Sequence, residues 1–199
     1  MREEFPPLAQ QPSEIELVLE AFSCVVHGRT AIYVSSPLTT GQRAFEWRLR
    51  NGAFTGATQH GEGEAFRREV VEPNRREAAA YAVRLRESTH RVVIDPTALP
   101  EAPGWNQSDF RALWGRIIDR YADSVVFRDG WQYSSGCGYE FLVGCESGAR
   151  LLREDLKPLV FEEGRSLIGR GIKESHERGA SAVFLERVLQ ALEELAARS

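Results

Sequence analysis

The groups that could do chemistry concentrate in one stretch: Asp129-Gly-Trp131, then Ser134-Ser-Gly-Cys-Gly-Tyr-Glu140. Glycines at a helix start let an oxygen-rich ligand approach bare backbone N–H groups, which with the helix dipole favour anions. Ser134 or Ser135 would add a hydroxyl donor. In the first turn of that helix the dipole would keep Glu140 ionised, and an ionised carboxylate can attack an anomeric carbon. The same spacing also fits a plainer role, with Ser134 as N-cap and Glu140 complementing the dipole. Spacing alone favours that plainer role. Trp131 fits two roles equally, stacking on a base or packing at a strand end. Trp47 and Trp114 read as core, and Cys137 reads as a small buried residue.

The elements that must position these groups are legible as alternating patterns. Ser13 and Glu16 form a capping-box pattern ahead of an apolar helix. Residues 30–35, 91–95 and 123–127 are short β-branched or aromatic runs that read as strands, with 150–153 as a fourth. Phe110, Leu113, Trp114, Ile117, Ile118 and Tyr121 recur at helical spacing, which predicts a helix over 107–121. A helical turn is expected near Phe45 to Arg50, and a helix over 65–72 that stops before Pro73, with Asn74 capping a new one. The segment from Gly136 to Cys145 reads as a helix, and two more helices, 162–177 and 181–197, close the chain. The apolar face of the last suits either its own sheet or a dimer partner. Strands alternating with helices imply an α/β fold, a doubly wound parallel sheet covered on both faces. Ligands in such sheets bind beyond the carboxyl ends of the strands, which singles out loops 35–41 and 128–140.

At 199 residues the chain suits one domain, 13–199, after a polar, proline-bearing arm over residues 1–12 that is expected to be flexible. The net charge of −4 disfavours nucleic acid polymers as partners. Arg48, Arg50, Arg67, Arg68, Arg75 and Arg76 have acidic neighbours and read as solvated surface. The opening residues lack a secretory h-region, no run is apolar enough for a membrane span, and the odd, unpatterned Cys24, Cys137 and Cys145 suit a reducing compartment; a cytoplasmic protein is expected. Residues 51–64 read as a mobile loop that could act as a lid, and it contains His60. His27, His60, His90 and His176 show no metal-ligand spacing, so no metal is expected. No Walker loop, Gly-x-Ser-x-Gly elbow or Gly-x-Gly-x-x-Gly fingerprint occurs, and no cofactor is expected.

The run Ser134-Ser-Gly-Cys-Gly-Tyr-Glu140 after the strand 123–127 resembles the nucleoside 2-deoxyribosyltransferase-like superfamily, whose members carry a similar Ser-x-Gly-x-Gly-Tyr-Glu segment. Ile32-Tyr-Val-Ser-Ser-Pro-Leu-Thr-Thr-Gly41 is similar to its opening strand and loop, and Gly130-Trp131 resembles a branch of uncharacterised domains within it. The resemblance covers roughly residues 30–150. It implies a flavodoxin-like fold, cleavage or exchange of the N-glycosidic bond of a (deoxy)nucleoside or nucleotide, and a homodimer. It casts Glu140 as the nucleophile at C1′, Tyr33 as its assistant, Ser134 as a phosphate contact, and Gly136 and Gly138 as pocket lining. Ser35, Ser36, Thr39, Thr40 and Gly41 of the first loop, with Ser135 and Trp131, complete the expected substrate-binding set. Two departures are plain. Pro37 and Thr39 stand where the nucleotide-hydrolysing branch has a serine and an arginine for phosphate. Gly115 falls where the family places an aspartate, leaving Asp109 or Asp129 as possible substitutes. The resemblance also leaves open a second reading, a catalytically inactive nucleotide-binding or sensing module.

Overall fold

Strand and helix alternate along the chain. The computed structural model describes residues 13–52, 63–99 and 102–198. In chain order the elements are α1 (Glu14–Ser23), β1 (Ala31–Ser35), α2 (Gln42–Arg50), α3 (Glu64–Phe66), a π-helical turn (Arg67–Val71), α4 (Glu72–Thr89) and β2 (Val93–Ile94). They continue with α5 (Gln107–Tyr121), β3 (Ala122–Phe127), α6 (Ser135–Glu146), β4 (Arg150–Arg153), α7 (Phe161–Glu177) and α8 (Val183–Ala196). The arm 1–12 and most of the expected lid, with His60, lie outside the described residues.

The four strands are all parallel, in the order β2-β1-β3-β4, with Tyr33 paired to Val125 and Ser35 to Phe127 across β1 and β3. Every residue of β1 is buried because helices cover both faces. Ile32, Val34 and Val126 pack with Tyr81, Ala82 and Leu85 of α4 on one face. On the other, Tyr33, Val125 and Phe127 meet Leu113, Trp114 and Ile117 of α5 and Phe141 of α6. The chain steps from β1 to β2 under α4, then returns past β1 to β3 under α5. That reversal makes the fold a flavodoxin-like doubly wound sheet and opens a crevice between the carboxyl ends of β1 and β3.

One expected boundary is wrong. The helix does not stop before Pro73; it runs on from Glu64 to Thr89, with Pro73 in the first turn of α4. Pro73 has no N–H to donate and its ring crowds the preceding turn, and the wider π turn just before it accommodates both. Asn74 is therefore no cap. Its amide donates to the Leu38 carbonyl at 2.9 Å and accepts from Arg43 Nη1 at 2.6 Å, which ties loop 36–41 to α4. α2 also starts three residues earlier than the expected turn, directly after Gly41. The apolar face of α8 is covered within the chain: Leu185, Val188 and Leu192 join the same core as α5 and α6. Among the described residues, no helix is long and apolar enough to cross a membrane.

Candidate active site

Glu140 projects from α6 toward the end of β1. Residues i and i+2 of a strand share a face, so Tyr33 and Ser35 both point at it. Tyr33 Oη donates to Glu140 Oε1 at 2.7 Å and Ser35 Oγ donates to Oε2 at 2.5 Å. Tyr33 and Ser35 are fully buried and Glu140 is 8% exposed, so the carboxylate meets solvent only through the crevice. Ser134 caps α6, and Ser135 is its first residue, which puts Glu140 in the second turn. The sequence-based expectation of dipole-held ionisation in the first turn is thus corrected, since the dipole effect fades beyond that turn. Burial dominates instead and pushes Glu140 up to about 7, against the downward pull of the Ser35 and Tyr33 hydrogen bonds. Burial and the neighbouring Glu140 charge raise the Tyr33 phenol well above its ordinary range, so Tyr33 keeps its proton and acts as donor.

A cavity of about 250 Å³ opens on Glu140. Loop residues Ser36, Thr39 and Thr40 form one wall, and Ser134, Ser135 and Gly136 form another. Thr40 Oγ1 lies 2.8 Å from Ser134 Oγ, which also accepts from the Cys137 N–H at 3.3 Å. First-turn N–H groups of a helix have no intrahelical partner, and Ser135 and Gly136 carry theirs along this wall. A β-carbon at Gly136 would meet only Ser134 Oγ, at 3.8 Å, so the approach to the backbone is open. Burial, aided by the Glu140 charge, pushes the Cys137 thiol up to about 12, which leaves it protonated packing.

Several expected site residues lie elsewhere. Asp109 sits at the third position of α5, where its carboxylate accepts from the Asn106 N–H at 2.8 Å and completes a capping box. Asp129 is exposed and lines a separate cavity with Arg43, Arg128 and Glu154. Neither aspartate lines the Glu140 cavity. Trp131 is buried against Phe127 and Phe141, with ring centroids 4.8 and 5.1 Å away, and so packs at the strand end and does not stack on a ligand. Gly138 faces α8: a β-carbon there would come within 2.7 Å of Leu185 Cδ2, so this glycine serves helix packing and not the pocket. Gly41, at φ +91°, turns the loop against Pro37 and Gly130 and does not line the Glu140 cavity. Gly115 makes room for the Tyr139 hydroxyl, which would lie 2.9 Å from a β-carbon, so an aspartate could not stand there unless Tyr139 moved.

Sequence reasoning missed part of the wall. Thr97, Gln107, Phe110 and Arg111 line the cavity from the segment after β2 and from α5, and Arg75 lines it from α4. Phe110 carried a helical period that reads as core, and Arg75 sat in a cluster that reads as solvated surface. Of the described residues that line the cavity, Glu140 is the one carboxylate and none is histidine. Among the described residues, no cluster of three or more His, Cys, Asp or Glu side chains could hold a metal ion.

Comparison with protein-family models, with curated proteins and with solved structures gives no match.

Proposed function

We propose that this protein cleaves the N-glycosidic bond of a (deoxy)nucleoside or nucleoside 5′-monophosphate, by hydrolysis or transfer, with Glu140 as nucleophile. The observation that carries this reading is a buried carboxylate held at both oxygens by neutral hydroxyls, Tyr33 and Ser35, at the mouth of a cavity. Among the described residues no guanidinium pairs with it. In the first step a Glu140 oxygen bonds to C1′ and the C1′–N pair leaves with the base, which takes up a proton. In the second step water or another base attacks C1′ and gives up a proton to solvent, while the bond from C1′ to the Glu140 oxygen breaks and frees the carboxylate. Glu140 is the one carboxylate among the described residues that line the cavity, so this reading draws the proton for the base from solvent. The resemblance of the Ser134–Glu140 segment to the nucleoside 2-deoxyribosyltransferase-like superfamily supports the same chemistry. It also suggests a homodimer, which would need a surface other than the internally packed face of α8.

Incubation with a panel of nucleosides and nucleoside monophosphates, with free base followed by chromatography, tests the reading. Base release by the wild-type protein and none by Glu140→Ala is the expected outcome; near wild-type release by Glu140→Ala would remove the idea. One observation favours a second reading, a nucleotide-binding or sensing module without turnover: neither Asp109 nor Asp129 lines the cavity. Tight binding of a nucleotide without base release would select that reading.

A further inference from the structure

Other hydroxyls around Glu140 have partners. Tyr33 and Ser35 bond the carboxylate, and Thr40 and Ser134 bond each other. Ser36 Oγ has none; among the described residues it is the buried side-chain polar atom left without a hydrogen bond. Ser36 lines the Glu140 cavity and directly follows Ser35, whose Oγ is 2.5 Å from the carboxylate. A buried hydroxyl without a partner is costly, and its persistence in a site calls for an explanation. Pro37 restricts the Ser36 backbone to extended conformations, while the side chain keeps its choice of staggered χ1 wells. The main chain is therefore held and the hydroxyl can turn to meet a ligand. As both donor and acceptor it matches another hydroxyl.

Both Glu140 oxygens already accept a bond from the protein. A sugar hydroxyl on the carbon next to C1′ would lie beside this carboxylate, and Ser36, one residue from its anchor Ser35, offers that hydroxyl a neutral partner that can both donate and accept. We propose that Ser36 is a specificity residue that hydrogen-bonds the 2′-hydroxyl of a ribose, so that the site prefers ribo- over 2′-deoxyribo-substrates. This rests on the N-glycosidase reading above. A deoxy sugar leaves the Ser36 hydroxyl without a partner, and a site built around a hydroxyl rejects the analogue lacking it.

The test compares wild type, Ser36→Ala and Ser36→Thr on matched ribo and 2′-deoxyribo monophosphates of the common bases. Turnover is measured as kcat/KM, and binding by calorimetry with uncleavable carbon-linked analogues of both sugars. Wild type should favour ribose by about 10-fold or more. Ser36→Ala should abolish the preference by weakening the ribo series alone, and Ser36→Thr, which keeps the hydroxyl, should retain most of it. Equal loss on both sugars, a preference that survives Ser36→Ala, or a wild-type preference for deoxyribose would overturn the assignment. If no base is released but the ribo preference in binding tracks Ser36, the N-glycosidase reading falls and the hydroxyl contact stands. Absence of binding by either sugar overturns both.

Discussion

Glu140 and Glu154 both lie beyond the carboxyl ends of the strands, and each lines a cavity bordered by the loop that follows β1. Their company differs. Glu154 accepts from Arg128 Nη2 at 3.0 Å and Nε at 3.3 Å, and from the Asp129 N–H at 3.0 Å. Its charge is neutralised by a guanidinium fork, and it holds the turn after β3 in shape. Among the described residues Glu140 receives only neutral hydroxyls, and it is more deeply buried, so its carboxyl holds its proton up to about pH 7. The difference shows how one side chain type serves two ends. A carboxylate paired with arginine is committed to architecture, whereas one held by hydroxyls is positioned yet still reactive.

The sharpest way to break this comparison is to neutralise each acid in turn. Glu140→Gln should lower turnover by at least about 10⁴-fold, because removing the proposed nucleophile leaves only binding and orientation. Glu154→Gln should leave turnover within a few-fold. Equal losses in a steady-state assay would erase the distinction.

The pH response should separate activity from stability. The proposed attack needs ionised Glu140, so kcat/KM should rise with pH through about 7. The stability sign is opposite. The folded-state value is raised above that of the unfolded chain, so the native state binds the extra proton between about pH 4.5 and 7. Stability should be highest below that window and fall by about 3 kcal/mol as pH rises through it. Denaturant melts at pH 5 and 8 measure this, and Glu140→Gln should flatten the difference.

Tyr33→Phe removes one hydroxyl and leaves Ser35. Loss of a hydrogen bond to the charged form should move the acid limb of the pH profile upward and lower neutral-pH turnover roughly 10- to 100-fold. An unmoved limb would mean Tyr33 does not tune the carboxylate. Glu154→Gln should cost about 1–2 kcal/mol in urea melts, since Arg128 loses its partner in a partly buried place. The smallest effect belongs to Asp109→Ala: about 0.5–1 kcal/mol from the lost capping box, with kcat unchanged. A large drop in kcat would return Asp109 to the catalytic set.

Local patterns made much of the molecule readable in advance. β4 and α5 occupy the expected residues, β1, β3 and α7 differ by one at their start, and α8 is two shorter at its start and one shorter at its end. β2 is shorter than its apolar run because only Val93 and Ile94 pair with β1. Pro73 misled because a break signal is local, whereas a π turn can absorb it. Ser35 had a readable signal, since it shares a strand face with Tyr33, but period 2 does not say what stands opposite. Trp131 and Gly138 show the same limit: an aromatic wall and a core stack, or a ligand glycine and a packing glycine, look alike in one dimension.

Sequence by itself determined the alternation that folds into a parallel doubly wound sheet and the crevice end of that sheet, and it brought Glu140 forward as a candidate through the resemblance of its segment. Periodicity, caps and turn residues are short-range properties, so they survive reading along the chain. Only the tertiary structure decided how Glu140 is held, because its partners Tyr33 and Ser35 are more than a hundred residues away. It also decided that Asp109 and Asp129 stand apart from the Glu140 cavity, and that Ser36 is left with an unanswered hydroxyl. Burial set the proton affinity of Glu140, and burial is a property of packing that no local spacing encodes.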